Sequence, residues 1–220
     1  MTTAKLVDLS FPISEEIPRW KVQFTSVYRT TSYKSSQISL PLHALTHLDS
    51  PLHYIPDGIS IEQFPLELAI SEAAVIDLTY AAANERIDVG DIASRFPSRH
   101  APTVLLRTDW PKRSWRTPDF WAASPYITEE AALWLAEQKI KIIGYDFPQE
   151  YPIRKIATGE AKMDDFRVHL IFLSRGIWQI EYLMNLDRIG SSRCLLYLFP
   201  LALTGLEASP VRVVASPLEH

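Results

Sequence analysis

Three histidines and an aspartate of this chain fall within one eleven-residue window. The window begins at His43 and ends at His53, with His47 and Asp49 between them. Two imidazoles and a carboxylate are a common ligand set for a divalent transition metal, and such a set can leave a position open for water. His53 adds a group that titrates near neutral pH and can move protons. The window therefore predicts a metal site with acid–base chemistry.

The spacing of these residues requires the window to bend. In a straight strand, at about 3.3 Å per residue, His43 and Asp49 would lie roughly 20 Å apart and could not share an ion. A continuous helix would bring His43 and His47 together but would turn Asp49 about 200° away from His47. Because Pro41 and Pro51 flank the segment, we predict an irregular turn rather than a regular element.

The rest of the chain is predicted to contain more strands than helices. Segments rich in β-branched and aromatic residues predict strands over 5–10, 22–33, 38–42, 74–78, 103–107, 141–145, 177–182, 194–199 and 211–214. Helices are predicted over 128–139, from near 88 to before 97, and from 164 or 165 to 176. Because strands and helices alternate after residue 70, we predict an α/β fold, a single domain with a mixed β-sheet and flanking helices.

Length, charge and cysteine content restrict the class of protein. The chain has 220 residues, a formal net charge of −4 and one cysteine, Cys194. One core can stabilise a domain of this length, and a lone cysteine forms no internal disulfide, which favours a reducing compartment. The sequence has no basic run for nucleic acid, no apolar stretch long enough for a membrane and no signal-peptide pattern. We therefore expect a cytoplasmic protein without nucleic-acid or membrane partners.

Two further histidines are left out of the candidate site. His220, with Leu218 and Glu219, resembles the remnant of a purification tag, so we assign the domain to residues 1–217. His100 lies between Pro97 and Pro102 and is predicted to be a loop residue without a chemical role.

The window also resembles the signature of a known family. The cyclase family of metal-dependent hydrolases, which includes bacterial kynurenine formamidase and isatin hydrolase, has the pattern His-x-Gly-Thr-His-x-Asp-x-Pro-x-His. This chain is similar to that pattern at His43, Thr46, His47, Asp49, Pro51 and His53. The similarity extends to segments 8–10, 105–108, 144–146, 200–201, 205–206 and 209–212, and to His169 followed twelve residues later by Glu181.

The resemblance implies a fold, a ligand set and an assembly. The fold would be the swivelling β/β/α fold of the family, assembled as a homodimer or homotetramer. One or two divalent ions, zinc or manganese, would be bound. The implied ligands are His43, His47 and Asp49 for one ion and His169 and Glu181 for a second, with Asp49 able to bridge the two.

The implied reaction is hydrolysis of a small amide, an aryl formamide or a lactam, by metal-activated water. His53 would be the acid/base, and Trp20 would line the substrate pocket, with packing at a core edge or dimer interface as its alternative. Two other functions remain open. The same site could serve a cyclase or lactone hydrolase, or the protein could bind metal without catalysis, in a site closed to water.

Two positions depart from the family pattern. Leu45 replaces the glycine of the signature, so the bend must form without the residue that best tolerates unusual backbone angles, and a bulky side chain could enter the pocket. Gln149 stands where the formamidases usually have a serine near the substrate. Both departures concern the identity of the substrate rather than the class of reaction.

Overall fold

The computed structural model describes residues 5–29 and 33–218. Glu219 and His220, part of the predicted tag remnant, lie outside the described residues. The strands are β1 (Val7–Asp8), β2 (Gln23–Arg29), β3 (Lys34–Ser39), β4 (His47–Asp49), β5 (Ile70–Asp77), β6 (Arg86–Ile87), β7 (Thr103–Arg107), β8 (Tyr126–Ile127), β9 (Ile142–Tyr145), β10 (Trp178–Glu181), β11 (Arg193–Leu198), β12 (Ala208–Pro210) and β13 (Val213–Pro217). The α-helices are α1 (Val89–Ala93), α2 (Trp110–Ser114), α3 (Asp119–Ala122), α4 (Glu129–Glu137) and α5 (Arg167–Leu173).

Nine strands form one mixed sheet, in the order β1-β13-β11-β5-β7-β9-β10-β4-β12. The four strands β5, β7, β9 and β10 run parallel to one another. The strands on both sides of this group pair antiparallel. Parallel strands are buried on both faces and are apolar along their whole length, as β9 is here. The predicted α/β domain with a mixed sheet and flanking helices is confirmed.

Successive residues of the central strands point to two different buried clusters. Val104 and Ile143 pack into one cluster, whereas Leu105 and Ile142 pack into the other. This is the period of two that a strand imposes on its side chains. Gly144 lies between the clusters at a close approach, because a Cβ there would be 2.8 Å from Leu105 Cδ2.

Local signals set the ends of the main helices. The hydroxyl of Thr128 accepts a hydrogen bond from Ala131 N–H, so it caps α4 at the predicted position. The predicted third helix begins later than expected, because residues 163–165 form a separate 3-10 turn before α5. Helix α5 ends at Leu173, and Gly176 follows in the left-handed conformation, with φ of 68°. Among the described residues, no helix has the length and apolar character to cross a membrane.

The predicted strands near the N-terminus differ from the observed ones. The strand predicted over 22–33 is β2, which pairs with β3 as a separate hairpin, and residues 30–32 lie outside the described part of the chain. The strand predicted over 38–42 ends at Ser39. Because Pro41 has no N–H to donate, it cannot continue the ladder, and its carbonyl instead closes a turn with Ala44 N–H.

Candidate metal centre

The histidine window turns first and then becomes a short strand. His43 lies in the turn that Pro41 and Ala44 close, and Leu45 follows with φ of 58°. His47–Asp49 then form β4, which pairs with β10 on one side and with β12 on the other. The predicted irregular bend is therefore correct before β4, but it is wrong for β4 itself. There the backbone hydrogen bonds of two neighbouring strands impose an extended conformation.

Leu45 adopts the left-handed conformation that the family glycine would adopt without strain. This conformation costs roughly 1–2 kcal/mol for a residue with a side chain. The Leu45 side chain is only 1% exposed and packs into the main hydrophobic core. The expectation that it could enter the pocket is therefore wrong. Burial of a leucine side chain, at about 1.5–3 kcal/mol, is large enough to offset the backbone strain.

Thr46 fixes the bend to two distant segments. Its hydroxyl donates to the carbonyl oxygen of Tyr182 at 2.6 Å and accepts from Phe11 N–H at 2.8 Å. Tyr182 directly follows the last residue of β10. The threonine of the signature therefore connects the ligand window to the end of β10.

Strand pairing brings the first carboxylates and imidazoles together. His47 and Asp49 are two residues apart in β4 and share a face, and Glu181 of β10 pairs directly with His47. His47 Nε2 lies 3.1 Å from Asp49 Oδ1 and 3.8 Å from Glu181 Oε2. The turn before β4 brings His43 close to these side chains, and its Nδ1 lies 2.9 Å from Asp49 Oδ1. The antiparallel register thus supplies a ligand that is remote in sequence.

His169 reaches the same cluster from helix α5. Its Nε2 lies 2.8 Å from Glu181 Oε1 and 3.9 Å from Asp49 Oδ2. The five residues predicted as metal ligands therefore lie within one cluster, in which His43 is partly exposed and the other four are buried. His100, by contrast, is an exposed loop residue outside that cluster.

His53 lies beside the cluster, in a 3-10 turn over Pro51–His53. Its ring centroid is 4.1 Å from that of His43. One ligand atom each of His43, Asp49 and His53 lie within 4.8 Å of one another, which is also true of His47, Asp49 and Glu181. His53 is therefore close enough to serve either as a ligand or as the acid/base.

Gly58 determines where this turn can lie. A Cβ at Gly58 would be 2.6 Å from the carbonyl carbon of Pro51 and 2.7 Å from the amide nitrogen of Leu52. Both atoms belong to the backbone, so a larger residue would displace the turn that carries His53. No local sequence pattern marks this glycine, because its constraint is a contact across space.

Asp49 provides the test of whether the cluster fits a cation. It is fully buried, and among the described residues neither carboxylate oxygen has a hydrogen-bond donor directed at it. Burial raises the pKa of Asp49, but the adjacent His47 and His43 outweigh burial and hold that pKa well below its usual value. A buried, ionised carboxylate is costly unless a cation compensates it. Three imidazoles and two carboxylates suit zinc or manganese, so the donor set fits a divalent ion.

Two of the histidines that line the cavity described below, His53 and His169, have opposite protonation preferences. Burial lowers the pKa of His53 to about 4, which keeps its imidazole neutral at neutral pH. Burial also disfavours the charged form of His169, but Glu150 and Glu181 outweigh it and hold that pKa well above its usual value. The neutral His53 can therefore accept a proton.

Two buried residues behind the cluster were not identified as site residues from the sequence. The carboxylate of Glu150 contacts Nδ1 of His169, and the amide of Gln149 donates to Glu181 Oε1 at 2.5 Å. Gln149 is fully buried and does not line the cavity described below. From the sequence, Gln149 was noted only as a departure from the family pattern near the substrate, and Glu150 was assigned no role.

A cavity of about 370 Å³ opens onto the cluster. This volume lies within the usual range for small-molecule sites. The cavity is lined by four titratable residues of the site, His43, His53, His169 and Glu181. Aromatic and basic residues complete the wall: Trp20, Tyr54, Phe166, Tyr182, Arg19 and Lys162. Trp20 is half-buried and meets Tyr182 edge to face, with centroids 5.2 Å apart. Trp20 therefore lines this cavity, and its role toward a substrate stays a prediction.

The family described as putative cyclase matches residues 7–149 of the chain. The chain belongs to this family. A cyclase-family relative, the kynurenine formamidase of Bacillus cytotoxicus, is 25% identical over 225 residues, which cover 99% of this chain and all of the relative. A solved structure described as a potential metal-dependent hydrolase with cyclase activity is 26% identical, with a TM-score of 0.77 over 99% of this chain and 100% of that one.

Isatin hydrolase A from Labrenzia aggregata, solved with benzyl benzoate, has the same fold. Its TM-score is 0.81 at 24% identity, and the match covers 98% of this chain and 94% of the hydrolase. Together these relatives confirm the predicted family, the predicted fold and the predicted reaction class, a metal-dependent amidohydrolase.

Proposed function

We propose that this cyclase-family protein hydrolyses a small aryl formamide or lactam at a divalent metal centre. The proposed ligands are His43, His47, Asp49, His169 and Glu181, which bind one or two ions of zinc or manganese. The observation that carries this proposal is the buried carboxylate of Asp49, which has the ring nitrogens of His43 and His47 beside it and, among the described residues, no hydrogen bond. A divalent ion bound there lowers the pKa of water and polarises a carbonyl oxygen.

His53 is the proposed acid/base. Its low pKa leaves the imidazole neutral, so it can take a proton from the attacking water. The imidazolium that results, with a pKa of about 4, is a more acidic group than an ordinary imidazolium and can deliver the proton to the leaving nitrogen. Asp49 stays ionised, because His43 and His47 hold its pKa low. The neutral base and the ionised ligand are therefore both available at neutral pH.

The cavity wall supports a flat, aromatic substrate. Three aromatic residues, Trp20, Tyr54 and Tyr182, line the cavity, and aromatic pairs prefer offset or edge-to-face contact. The names of the relatives, a kynurenine formamidase and an isatin hydrolase, support an aryl formamide or a lactam. We propose Trp20 as the residue against which the substrate ring packs.

Metal analysis of matched histidine variants tests the ligand assignment. We expect His47→Ala to lose most of the bound metal and His100→Ala to retain it, because only His47 lies in the cluster. Glu181→Gln is expected to lose metal from a second position or to weaken the first. Equal metal content in the two histidine variants, or full metal and full hydrolysis in Glu181→Gln, would contradict the assignment.

The acid/base assignment has a separate test. His53→Asn should keep most of the metal and lose hydrolysis by roughly 10² to 10⁴ in rate, as is usual when a positioned acid/base is removed. Loss of metal would instead make His53 a ligand. Full activity with intact metal would exclude it from the mechanism.

The substrate screen should include lactones as well as aryl formamides and lactams. A solved relative described as a potential metal-dependent hydrolase with cyclase activity favours a cyclase as the second candidate function. A metal-binding protein without catalysis is less well supported, because three of the five proposed ligands, His43, His169 and Glu181, line a cavity together with His53. We further propose a cytoplasmic location and a homodimer or homotetramer, which ultracentrifugation would test.

A further inference from the structure

The segment that follows β9 passes behind the second pair of proposed ligands. Gln149 is fully buried and Glu150 is 3% exposed. Gln149 contacts Glu181, and Glu150 contacts His169. Two adjacent residues of one segment thus each contact a different ligand. Buried polar side chains are costly unless paired, so these contacts account for their presence.

This segment is firmly attached to the scaffold. Asp146, directly after β9, accepts hydrogen bonds from both Thr108 N–H and its hydroxyl, at 2.8 and 2.7 Å, and from Asp109 N–H at 2.8 Å. Further along, the carbonyl oxygen of Gln149 accepts from Ile127 N–H at 3.0 Å. The polar side chains at 149 and 150 therefore project from a backbone that cannot shift freely.

The carboxylate of Glu150 can only accept hydrogen bonds when ionised. One oxygen accepts from Val168 N–H, in the first turn of α5, and the other contacts Nδ1 of His169. Glu150 thereby favours a proton on Nδ1 and orients the ring so that Nε2 faces Glu181 and Asp49. A carboxylate behind a histidine fixes the tautomer and orientation of a metal ligand in this way.

Gln149 restricts the other ligand of the pair. Its amide nitrogen donates to Oε1 of Glu181 at 2.5 Å, whereas Oε2 of Glu181 is the oxygen near His47 Nε2, at 3.8 Å. The carbonyl oxygen of the Gln149 amide has no hydrogen-bond partner among the described residues. The NH₂ group of Gln149 is therefore the part of its side chain that holds Glu181.

We propose that Gln149 and Glu150 are positioning residues that preset Glu181 and His169 for a divalent ion. Glu150 aims Nε2 of His169 at Oε1 of Glu181, and Gln149 donates to that same oxygen, which leaves Oε2 on the side of His47. This inference rests on the proposed metal centre. It adds that the second ligand pair is positioned by the protein before an ion binds.

Titration of the metal-free protein with Co²⁺ tests the proposal, since the visible spectrum of Co²⁺ reports its ligands. The variants are Glu150→Gln, which replaces one acceptor oxygen by a donor, and Gln149→Leu, which removes the donor at similar volume. Glu137→Gln, at an exposed position of α4, is the matched control. We expect 10- to 100-fold weaker Co²⁺ binding for the Glu150 variant, the usual effect of losing such a residue. The Gln149 variant should also bind more weakly, with an altered spectrum.

The outcomes separate this inference from the proposed function. If the original protein binds Co²⁺ and both variants bind equally well with the same spectrum, the positioning roles are wrong and the metal centre stands. If the original protein binds no Co²⁺, both proposals fail. Circular dichroism well below the unfolding temperature verifies that each variant is folded. Should Glu150→Gln not fold, Gln149→Leu decides alone, because it leaves both contacts of Glu150 intact.

Discussion

Replacement of Thr46 by valine should destabilise the protein more than replacement by serine. Valine has nearly the shape of threonine but no hydroxyl. It would leave the Phe11 N–H and the Tyr182 carbonyl, both buried, without the partner they have now. Serine keeps the hydroxyl and loses only a methyl group. The pair of variants therefore separates hydrogen bonding from packing at one position.

The structure sets the expected magnitudes. A buried polar group left without its partner costs about 1–3 kcal/mol, and Thr46→Val creates two of them. Allowing about 1 kcal/mol for the added apolar burial, we expect a loss of about 1–5 kcal/mol in the free energy of unfolding, centred near 3 kcal/mol. Thr46→Ser should lose about 1 kcal/mol, the contribution of one buried methyl group. For a chain of this length each kcal/mol lowers Tm by roughly 2–4 °C.

Urea unfolding at equilibrium, followed by tryptophan fluorescence, measures both variants against the original protein. We also expect weaker metal binding in Thr46→Val, because the hydroxyl connects the ligand window to the end of β10. A valine variant as stable as the serine variant would refute the reasoning. It would mean that Phe11 and Tyr182 find other partners, or that the bend does not depend on this hydroxyl.

Three other changes follow from the contacts described above. Gly58→Ala should lower the free energy of unfolding by about 1–3 kcal/mol and reduce hydrolysis, because its Cβ would overlap the backbone of the turn carrying His53. Unchanged activity and stability would show that this turn accommodates the methyl group. Asp146→Ala should lower the free energy of unfolding by about 3 kcal/mol or more, because the amides of Thr108 and Asp109 lose their acceptor. Asp146→Asn should lower it by less, and calorimetry that ranks the two variants in the opposite order would contradict this. Burial raises the pKa of the Cys194 thiol to about 12, so a thiol reagent at pH 8 should react only after denaturation, and rapid reaction with the native protein would be inconsistent with the burial of Cys194.

The sequence by itself determined those features that depend on near neighbours. The cap at Thr128 and the buried strands β7 and β9 follow from local residue patterns, so they were predicted close to where they lie. The metal site was indicated because His43, His47 and Asp49 fall within one short window, which requires only a bend to bring them together. The resemblance to a known family supplied His169 and Glu181, which are unremarkable by themselves.

Only the tertiary structure decided how distant residues meet in the site. Periodicity shows which face of a strand is buried, but it does not show which strands pair or in which register. The position of Glu181 opposite His47 is therefore a property of the sheet. The contacts of Gln149 and Glu150 with the ligands likewise depend on the path of the chain after β9. Leu45 packs into the core rather than the pocket because side-chain direction depends on the backbone angle at the bend, and packing around that bend fixes the angle.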